Sequence, residues 1–470
     1  MRKKQCPDKV LTRREILKYG LYGSSAAVLP ISFGLNGCGK QQTAEKPNII
    51  LISIDTLRAD HLGCYGYERP TSPTIDTLAS QGLLFEDVTS TSPWTLPSHG
   101  SLLTGLYPSH HTLKSFYTCL PSDVVTLAEI LKSRDFSTGA IVNSFYLSQR
   151  YGFARGFDDF TYIKEIAHLR TPSEVGDQAI KWLSVSRGKP FFLFLHYMDV
   201  HSDYASLPVY EKLFDRRYQG IADGSTGQLM DFRFGRIKFA QADAERLIDL
   251  YDAGIRQMDD QLARLLGFLE SRKLLANSIV IITSDHGEEF LEHGGVLHSR
   301  TQYQELIHVP LIFCGPGIPE SERIKNMVSN VDVMPTLLSM LDIPGPSSAD
   351  GFDLCSSWQR PDSKLPRRYI FAEASEYTVI PLGDNVRHDI KRSIRYPRYK
   401  LHYDRLTKET QLYDFQYDPG EKTDVASEHT SLADSMFSNL ENFMTTGRSG
   451  PLLPPLSPDE TQRLKSLGYL

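Results

Sequence analysis

With 470 residues, 40% of them apolar and 23% charged, the chain excludes a disordered protein and has the length for one large domain plus an appendage. A formal net charge of −6, from 51 Lys and Arg against 57 Asp and Glu, excludes a general nucleic-acid binder, because phosphate neutralisation needs a cationic excess. Basic residues run together only at the extreme N-terminus.

That N-terminus reads as a processing segment over residues 1–37. Lys3, Lys4, Arg13, Arg14 and Lys18 precede an uncharged stretch over 19–35. The stretch is interrupted by Gly20, Gly23, Pro30 and Gly34 and is short for a bilayer span, which favours a cleaved export signal over a permanent helix. Thr12-Arg13-Arg14-Glu15-Ile16-Leu17-Lys18 resembles a twin-arginine signal, and Leu35-Asn36-Gly37-Cys38 resembles a bacterial lipobox. These resemblances imply an exported envelope protein, anchored to a membrane through lipid on Cys38 and a polar tether over 38–46. An ordinary signal followed by an incidental cysteine is the plainer alternative. Cys64, Cys119, Cys314 and Cys355 remain after such processing, enough for up to two disulfides, although buried free thiols explain them as well.

Folded structure is expected from Pro47. Strand-like apolar runs over 48–54, 138–142, 191–195, 278–283 and 309–313 alternate with helical periods, the first over 74–81. Near-continuous apolar strands separated by helices predict an α/β domain whose sheet is covered on both faces. The clearest helix carries Leu247, Tyr251, Ile255, Met258, Leu262, Leu265 and Leu269 at three- or four-residue steps, the spacing of a core-facing stripe. Residues 203–241 are rich in Tyr, Arg, Asp and Gly without clear periodicity, which predicts a long insertion shaping a substrate pocket. Pro344-Gly345-Pro346-Ser347-Ser348 marks a seam between a catalytic domain over 47–345 and a smaller α+β subdomain over 346–470. In the latter, 393–403 and 411–415 predict a hairpin, and Asp418-Pro419-Gly420-Glu421 a turn.

Two acidic clusters fall at the C-terminal ends of predicted strands, where α/β proteins gather their sites. Asp55 closes the 48–54 strand, and Asp285-His286 closes the 278–283 strand. Carboxylate oxygens with one imidazole make a ligand set for a divalent cation, although a surface turn or cap accounts for such residues equally well. The third feature is Pro93-Trp94-Thr95-Leu96-Pro97-Ser98-His99-Gly100, which puts hydroxyls in a turn that opens an apolar helix. Amide groups and the helix dipole there favour anions and help ionise a nucleophile. Plain N-capping also suits Ser98 and, less readily, Thr95.

In this order, the run from Asn48 to Gly66 around Asp55-Thr56-Leu57-Arg58-Ala59-Asp60-His61, the Thr95 motif, and Ser284-Asp285-His286-Gly287-Glu288 resemble the sulfatase family. The likeness extends over the run ending His196-Tyr197-Met198-Asp199-Val200-His201, over Val309-Pro310-Leu311-Ile312, and over Gln411-Leu412-Tyr413-Asp414 to Gly468-Tyr469. It implies an alkaline-phosphatase-like three-layer α/β sandwich, with a central, mostly parallel sheet, acting on a sulfated or phosphorylated small molecule or glycan. Carried over by position, it implies that Asp55, Thr95, Asp285 and His286 surround one divalent metal ion. His99 takes the place of the arginine that ends the sulfatase signature, His201 matches a substrate-holding histidine, and His298 falls where a lysine is common. His196 and Asp199 belong to the same wall, with a buried, satisfied imidazole the plainer role for His196.

The departures from the family pattern constrain the chemistry more than the matches do. Formylglycine forms from Cys or Ser, so Thr95 implies that this chain carries none. Thr56 replaces a second aspartate, His286 stands where asparagine is frequent, and Asn143 and Phe145 appear where a lysine and a histidine are expected. A threonine ester has no collapse to an aldehyde, so a separate water or another acceptor must discharge it. Thr95 is therefore expected as a nucleophile acidified by the metal, with His99, His201 or His298 protonating the leaving oxygen or steadying charge. Fewer carboxylates and a histidine ligand favour manganese, zinc or magnesium over calcium. Two other functions stay open: transfer of a phosphoryl-linked group onto, or phosphodiester cleavage of, envelope glycans or lipids, and a catalytically silent binding lipoprotein.

Overall fold

Strand β1 (Asn48–Ile54) is buried along its whole length, with Ile49 and Leu51 in one core and Ile50, Ile52 and Ile54 in the other. That two-residue alternation between two apolar layers is why the run is continuously hydrophobic. The computed structural model describes residues 46–164, 174–185, 188–359, 365–374, 379–382, 385–388 and 391–466. The expected signal, Cys38 and the tether up to residue 45 lie outside the described residues.

Seven further strands complete the sheet: β2 (Leu83–Thr89), β3 (Ser137–Val142), β4 (Asp159–Tyr162), β5 (Phe191–Tyr197), β6 (Ser278–Thr283), β7 (Leu311–Cys314) and β8 (Glu322–Ser329). Their order is β8-β2-β7-β6-β1-β5-β3-β4. All pairings are parallel except those of β7, which runs antiparallel to both neighbours. The run expected from residue 309 enters the ladder only at Leu311, after Pro310, which has no amide to donate.

Helices cover the two faces. α1 (Thr95–Thr104) sends Leu96, Leu102 and Leu103 into one core, and α2 (Gln241–Ser271) sends its leucine stripe from Leu247 to Leu269 into the other. The 203–241 insertion holds two short helices, Pro208–Phe214 and Thr226–Arg233. Local chemistry starts each of them, Pro208 at a first helical position and Ser225 accepting from the Gln228 amide at 3.3 Å. Neither is long enough to show a period in the sequence.

A second, antiparallel sheet holds β9 (Ile370–Glu373), β10 (Lys391–Tyr396), β11 (Tyr399–Asp404) and β12 (Thr410–Asp414) in that order. α3 (Thr430–Thr445) belongs to its core through Met436, Leu440 and Phe443. The 393–403 run, expected as one arm of a hairpin, is itself a hairpin with Tyr396 paired to Tyr399. Only Pro397 and Arg398 separate the arms, which leaves a turn too short to interrupt the apolar pattern. Leu354 and Leu464 join the core of the large sheet, so chain beyond the Pro344–Ser348 seam also packs on the first layer. The four described cysteines are free thiols. No helix among the described residues is long and apolar enough to cross a membrane.

The Asp418–Glu421 turn ties the smaller sheet to the loop before β7. Glu421 Oε1 meets buried Lys400 Nζ at 3.0 Å and His402 Nε2 at 2.8 Å, and Oε2 accepts from the Gln304 amide at 2.7 Å. Burial pushes the Glu421 carboxyl up, but Lys400 and His402 outweigh it and hold it at about 2. A carboxyl held this low stabilises the fold above the ordinary glutamate range and ceases to do so as pH falls toward 2. Glu421→Ala leaves the buried ammonium with only the Gln302 carbonyl and Gln304 Oε1 and without its carboxylate, and is expected to remove about 3–5 kcal/mol of unfolding free energy in urea titration. The paired change Lys400→Met with Glu421→Leu should recover most of that loss.

Candidate active site

Strands β5, β1 and β6 are adjacent and parallel, so their C-terminal ends deliver His196, Asp55 and Asp285-His286 to one edge of the sheet. The Asp55 amide donates to the Tyr197 carbonyl at 2.8 Å, which extends the ladder by one residue and fixes where the carboxylate leaves the strand. Thr95 is the first residue of α1, and its Oγ1 lies 3.4 Å from His286 Nε2 and 3.5 Å from Asp55 Oδ2. His286 Nε2 in turn lies 3.3 Å from Asp285 Oδ2 and 3.7 Å from Asp55 Oδ1. The four residues expected to surround a metal ion therefore converge, and all are buried.

Their atoms suit a divalent cation. Asp55 Oδ1 and Asp285 Oδ2 are buried without a hydrogen-bond partner, and one ligand atom from each of Asp55, Asp285 and His286 falls within 4.8 Å of the others. His286 Nδ1 donates to the Gly287 carbonyl at 2.9 Å, which leaves the Nε2 lone pair facing the carboxylates. Burial pushes Asp55 up and pushes Asp285 up to about 7, where the neighbouring Asp55 charge adds to it; burial also lowers His286 to about 4. Two buried, like-charged carboxylates with unsatisfied oxygens are costly, and a cation between them removes that cost. Thr56, at the position of the second aspartate, adopts φ 58°, a strained conformation for a β-branched residue costing about 1–3 kcal/mol. Its backbone amide donates to Asp285 Oδ1 at 3.3 Å, and its hydroxyl, buried without a hydrogen-bond partner, stands where the expected aspartate would add a carboxylate.

Histidines line the rest. His196 Nε2 lies 3.1 Å from Asp55 Oδ2, and its Nδ1 lies 3.1 Å from Asn143 Oδ1, so both nitrogens are engaged. The leaving-group role expected among others for His99 does not fit its contacts. Its Nδ1 donates to the Thr95 carbonyl at 2.9 Å, its Nε2 meets Ser53 Oγ at 2.9 Å, and burial lowers it to about 3. A neutral ring with both nitrogens committed holds the helix start in place instead of moving a proton. Ser98, one turn into α1, caps nothing; its hydroxyl donates to the Asp285 carbonyl at 2.7 Å and receives the Asn330 amide at 2.8 Å. Phe145 packs in the large core, and Asp199 is buried behind His196 in sequence.

His298 stands with its ring 4.3 Å from that of His286 and 5.0 Å from that of His201. Leu297 and Ser299 on either side of it take φ of 66° and 84°, an unusual backbone that fixes the loop. His298 Nδ1 meets Glu288 Oε1 at 2.9 Å, and His201 Nδ1 donates to the Ser202 carbonyl at 2.7 Å. Burial lowers both, His201 to about 4 and His298 to about 3. Glu288, fully buried, is the functional candidate that reasoning from the sequence passed over. Its signal was a charged residue two positions beyond His286, in a segment that must be buried if Asp285 and His286 are.

Known proteins share this arrangement of elements. The sulfatase family model matches residues 47–343, and the model described as N-sulphoglucosamine sulphohydrolase, C-terminal, matches 292–446. The chain is 25% identical to Delta 4,5-hexuronate-2-O-sulfatase of Bacteroides thetaiotaomicron, over 85% of this chain and 91% of that one. Among solved structures, a protein in complex with its substrate D-glucosamine-2-N,6-O-disulfate superposes with a TM-score of 0.71 at 20% identity, covering 85% of this chain and 98% of that one. The phosphonate monoester hydrolase of Agrobacterium radiobacter superposes with a TM-score of 0.71 at 19% identity, covering 85% and 96%. By its family match over most of its length, the chain belongs to the sulfatase family of hydrolases.

Proposed function

We propose that this chain hydrolyses a sulfate or phosphate ester of a small molecule or glycan, with Thr95 as the nucleophile. The observation that carries the reading is Thr95 Oγ1 beside His286 Nε2 and Asp55, with two unpartnered carboxylate oxygens next to it. The named activities of relatives, a hexuronate sulfatase and a phosphonate monoester hydrolase, span both ester classes and support leaving the central atom as sulfur or phosphorus. Export and lipid attachment at Cys38 belong to the same proposal, since an envelope location gives access to extracellular glycans.

Asp55, Asp285, His286 and Thr95 would hold a divalent cation, which supplies positive charge that eases loss of the Thr95 proton and draws the substrate's anionic oxygens. Thr95 opens α1, so the helix N-terminus adds favourable potential for an ionised hydroxyl. In the proposed sequence, Thr95 Oγ1 attacks the sulfur or phosphorus and the ester oxygen leaves. The neutral His298 ring takes the Thr95 proton at Nε2 as Oγ1 attacks and passes it to the leaving ester oxygen; it then takes a proton from the water that attacks the Thr95 ester and returns it to Thr95 Oγ1 as sulfate or phosphate is released. Glu288 fixes the His298 tautomer and steadies its imidazolium form, as a carboxylate does behind any proton-carrying histidine.

Thr95→Ala is expected to lower turnover of a 4-nitrophenyl sulfate, phosphate or phosphodiester by roughly a thousandfold or more, whereas Thr95→Ser keeps measurable activity. Mass spectrometry of the peptide containing Thr95 should show an unmodified residue; wild-type rates in Thr95→Ala would remove it as the nucleophile. The carboxylate pair gives a second test. In chelator-treated protein Asp285→Asn relieves a buried like-charge contact and should raise the melting temperature, while in calcium, manganese, magnesium or zinc the wild type should gain more than the variant. No gain by the wild type in any of these ions would argue against the cation site and favour a silent binding protein.

A further inference from the structure

A cleft of about 420 Å³ borders the reaction centre at His298, which lines one of its walls. From Thr95 the path to it is short: 3.4 Å from Oγ1 to His286 Nε2, then 4.3 Å between the rings of His286 and His298. Arg233 and Lys238 enter the cleft from the 203–241 insertion, and Arg300 enters from the loop that carries His298. Arg233 also donates to the His298 carbonyl at 2.9 Å, which locks the insertion onto that loop. Lys238 is exposed and Arg300 half-buried, so both face a space that solvent reaches.

The opposing charge is tied down. Glu289 lines the same cleft, but its Oε1 accepts the amides of His293 at 3.1 Å and of Gly295 at 2.7 Å, inside its own loop. Tyr303 lines the same cleft, fixed by stacking on His293 with ring centroids 3.5 Å apart and by the His402 ring at 4.9 Å. Cationic side chains from two separate segments thus converge on one concavity next to the proposed nucleophile.

We infer that this cleft is a subsite for a second anionic group of the substrate, a sulfate or carboxylate distinct from the ester under attack, held by Arg233, Lys238 and Arg300. The inference rests on the hydrolase reading above for the place of the first group, and it narrows the substrate to a glycan carrying at least two anions. Guanidinium groups suit planar or tetrahedral oxyanions through paired N–H donors, and Lys238 adds a mobile point charge at the rim.

Calorimetric titration of Thr95→Ala protein with D-glucosamine 2-N,6-O-disulfate and with N-acetyl-D-glucosamine 6-O-sulfate, whose N2 is uncharged, compares two ligands that differ by one anion. The doubly sulfated sugar is expected to bind at least roughly tenfold tighter, with a gap that narrows as salt rises. Lys238→Glu and Arg300→Ala, each shown to melt cooperatively, should close the gap to about twofold or less. Equal affinities, no binding of either sugar, or a gap that survives in both variants overturns the subsite. Because the titration needs no turnover, a preference seen alongside inactive wild-type protein sinks the Thr95 hydrolase and leaves the subsite standing. Wild-type cleavage of an aryl ester together with equal binding of the two sugars sinks the subsite alone.

Discussion

Two carboxylates buried side by side, Asp55 and Asp285, are the constraint around which the rest of this structure is arranged. Removing one ionised carboxylate from water costs several kcal/mol, and placing a second within contact of the same imidazole adds repulsion. The fold offsets this with fixed dipoles: the Thr56 amide on Asp285 Oδ1, the His196 ring on Asp55 Oδ2, and the start of α1 above both. What the dipoles leave unsatisfied, one oxygen on each aspartate, is what a divalent cation would complete.

That constraint also explains why so many polar groups are buried behind the site. Ser98 and Ser90 both donate to the carbonyl of Asp285, Asn330 holds Ser98, and Ser284 holds the carbonyl of His286 at 2.7 Å. These bonds fix backbone, not side chain, so the carboxylate and imidazole are aimed by the chain itself. A half-satisfied network here would be worse than an apolar one, and the strained Thr56 persists because its neighbours over-determine it.

Much of this was legible in the sequence, for a physical reason. Strands of a two-sided sheet must be largely apolar, so the first charged residue after each run, Asp55 or Asp285, marks the strand end where a site forms. The Leu247–Leu269 stripe was equally clear because a long helix repeats its period many times. What was not legible depended on contacts distant in sequence. The antiparallel direction of β7 leaves no trace in a short apolar run. The hairpin inside 393–403 turns on two residues. The commitment of both His99 nitrogens to Ser53 and Thr95 exists only once α1 is laid against β1. Glu288 illustrates the same limit: a glutamate after a strand reads as solvent-facing until the loop back to His298 buries it.

The substitutions at family positions become coherent when charge is considered with burial. Relative to the pattern that the resemblance implies, Thr56 in place of an aspartate removes one negative charge, while Asn143 in place of a lysine and His99 and His298 in place of an arginine and a lysine remove three positive ones, because burial holds both imidazoles neutral at rest. The reaction centre thus loses two more fixed positive charges than negative, and attracts an anion less strongly than the implied pattern would. The proposed compensation lies one shell outward, where Arg233, Lys238 and Arg300 meet in the cleft beside His298. Cations at that distance stay solvated and permanently charged, so they cost little to keep, and they recognise a substrate by a group that is not being cleaved. Binding energy from such a remote group assists turnover only if it also orients the ester toward Thr95. The bond between Arg233 and the His298 carbonyl is the contact that would transmit that orientation, since it joins the anion-holding insertion to the loop carrying the proposed proton donor.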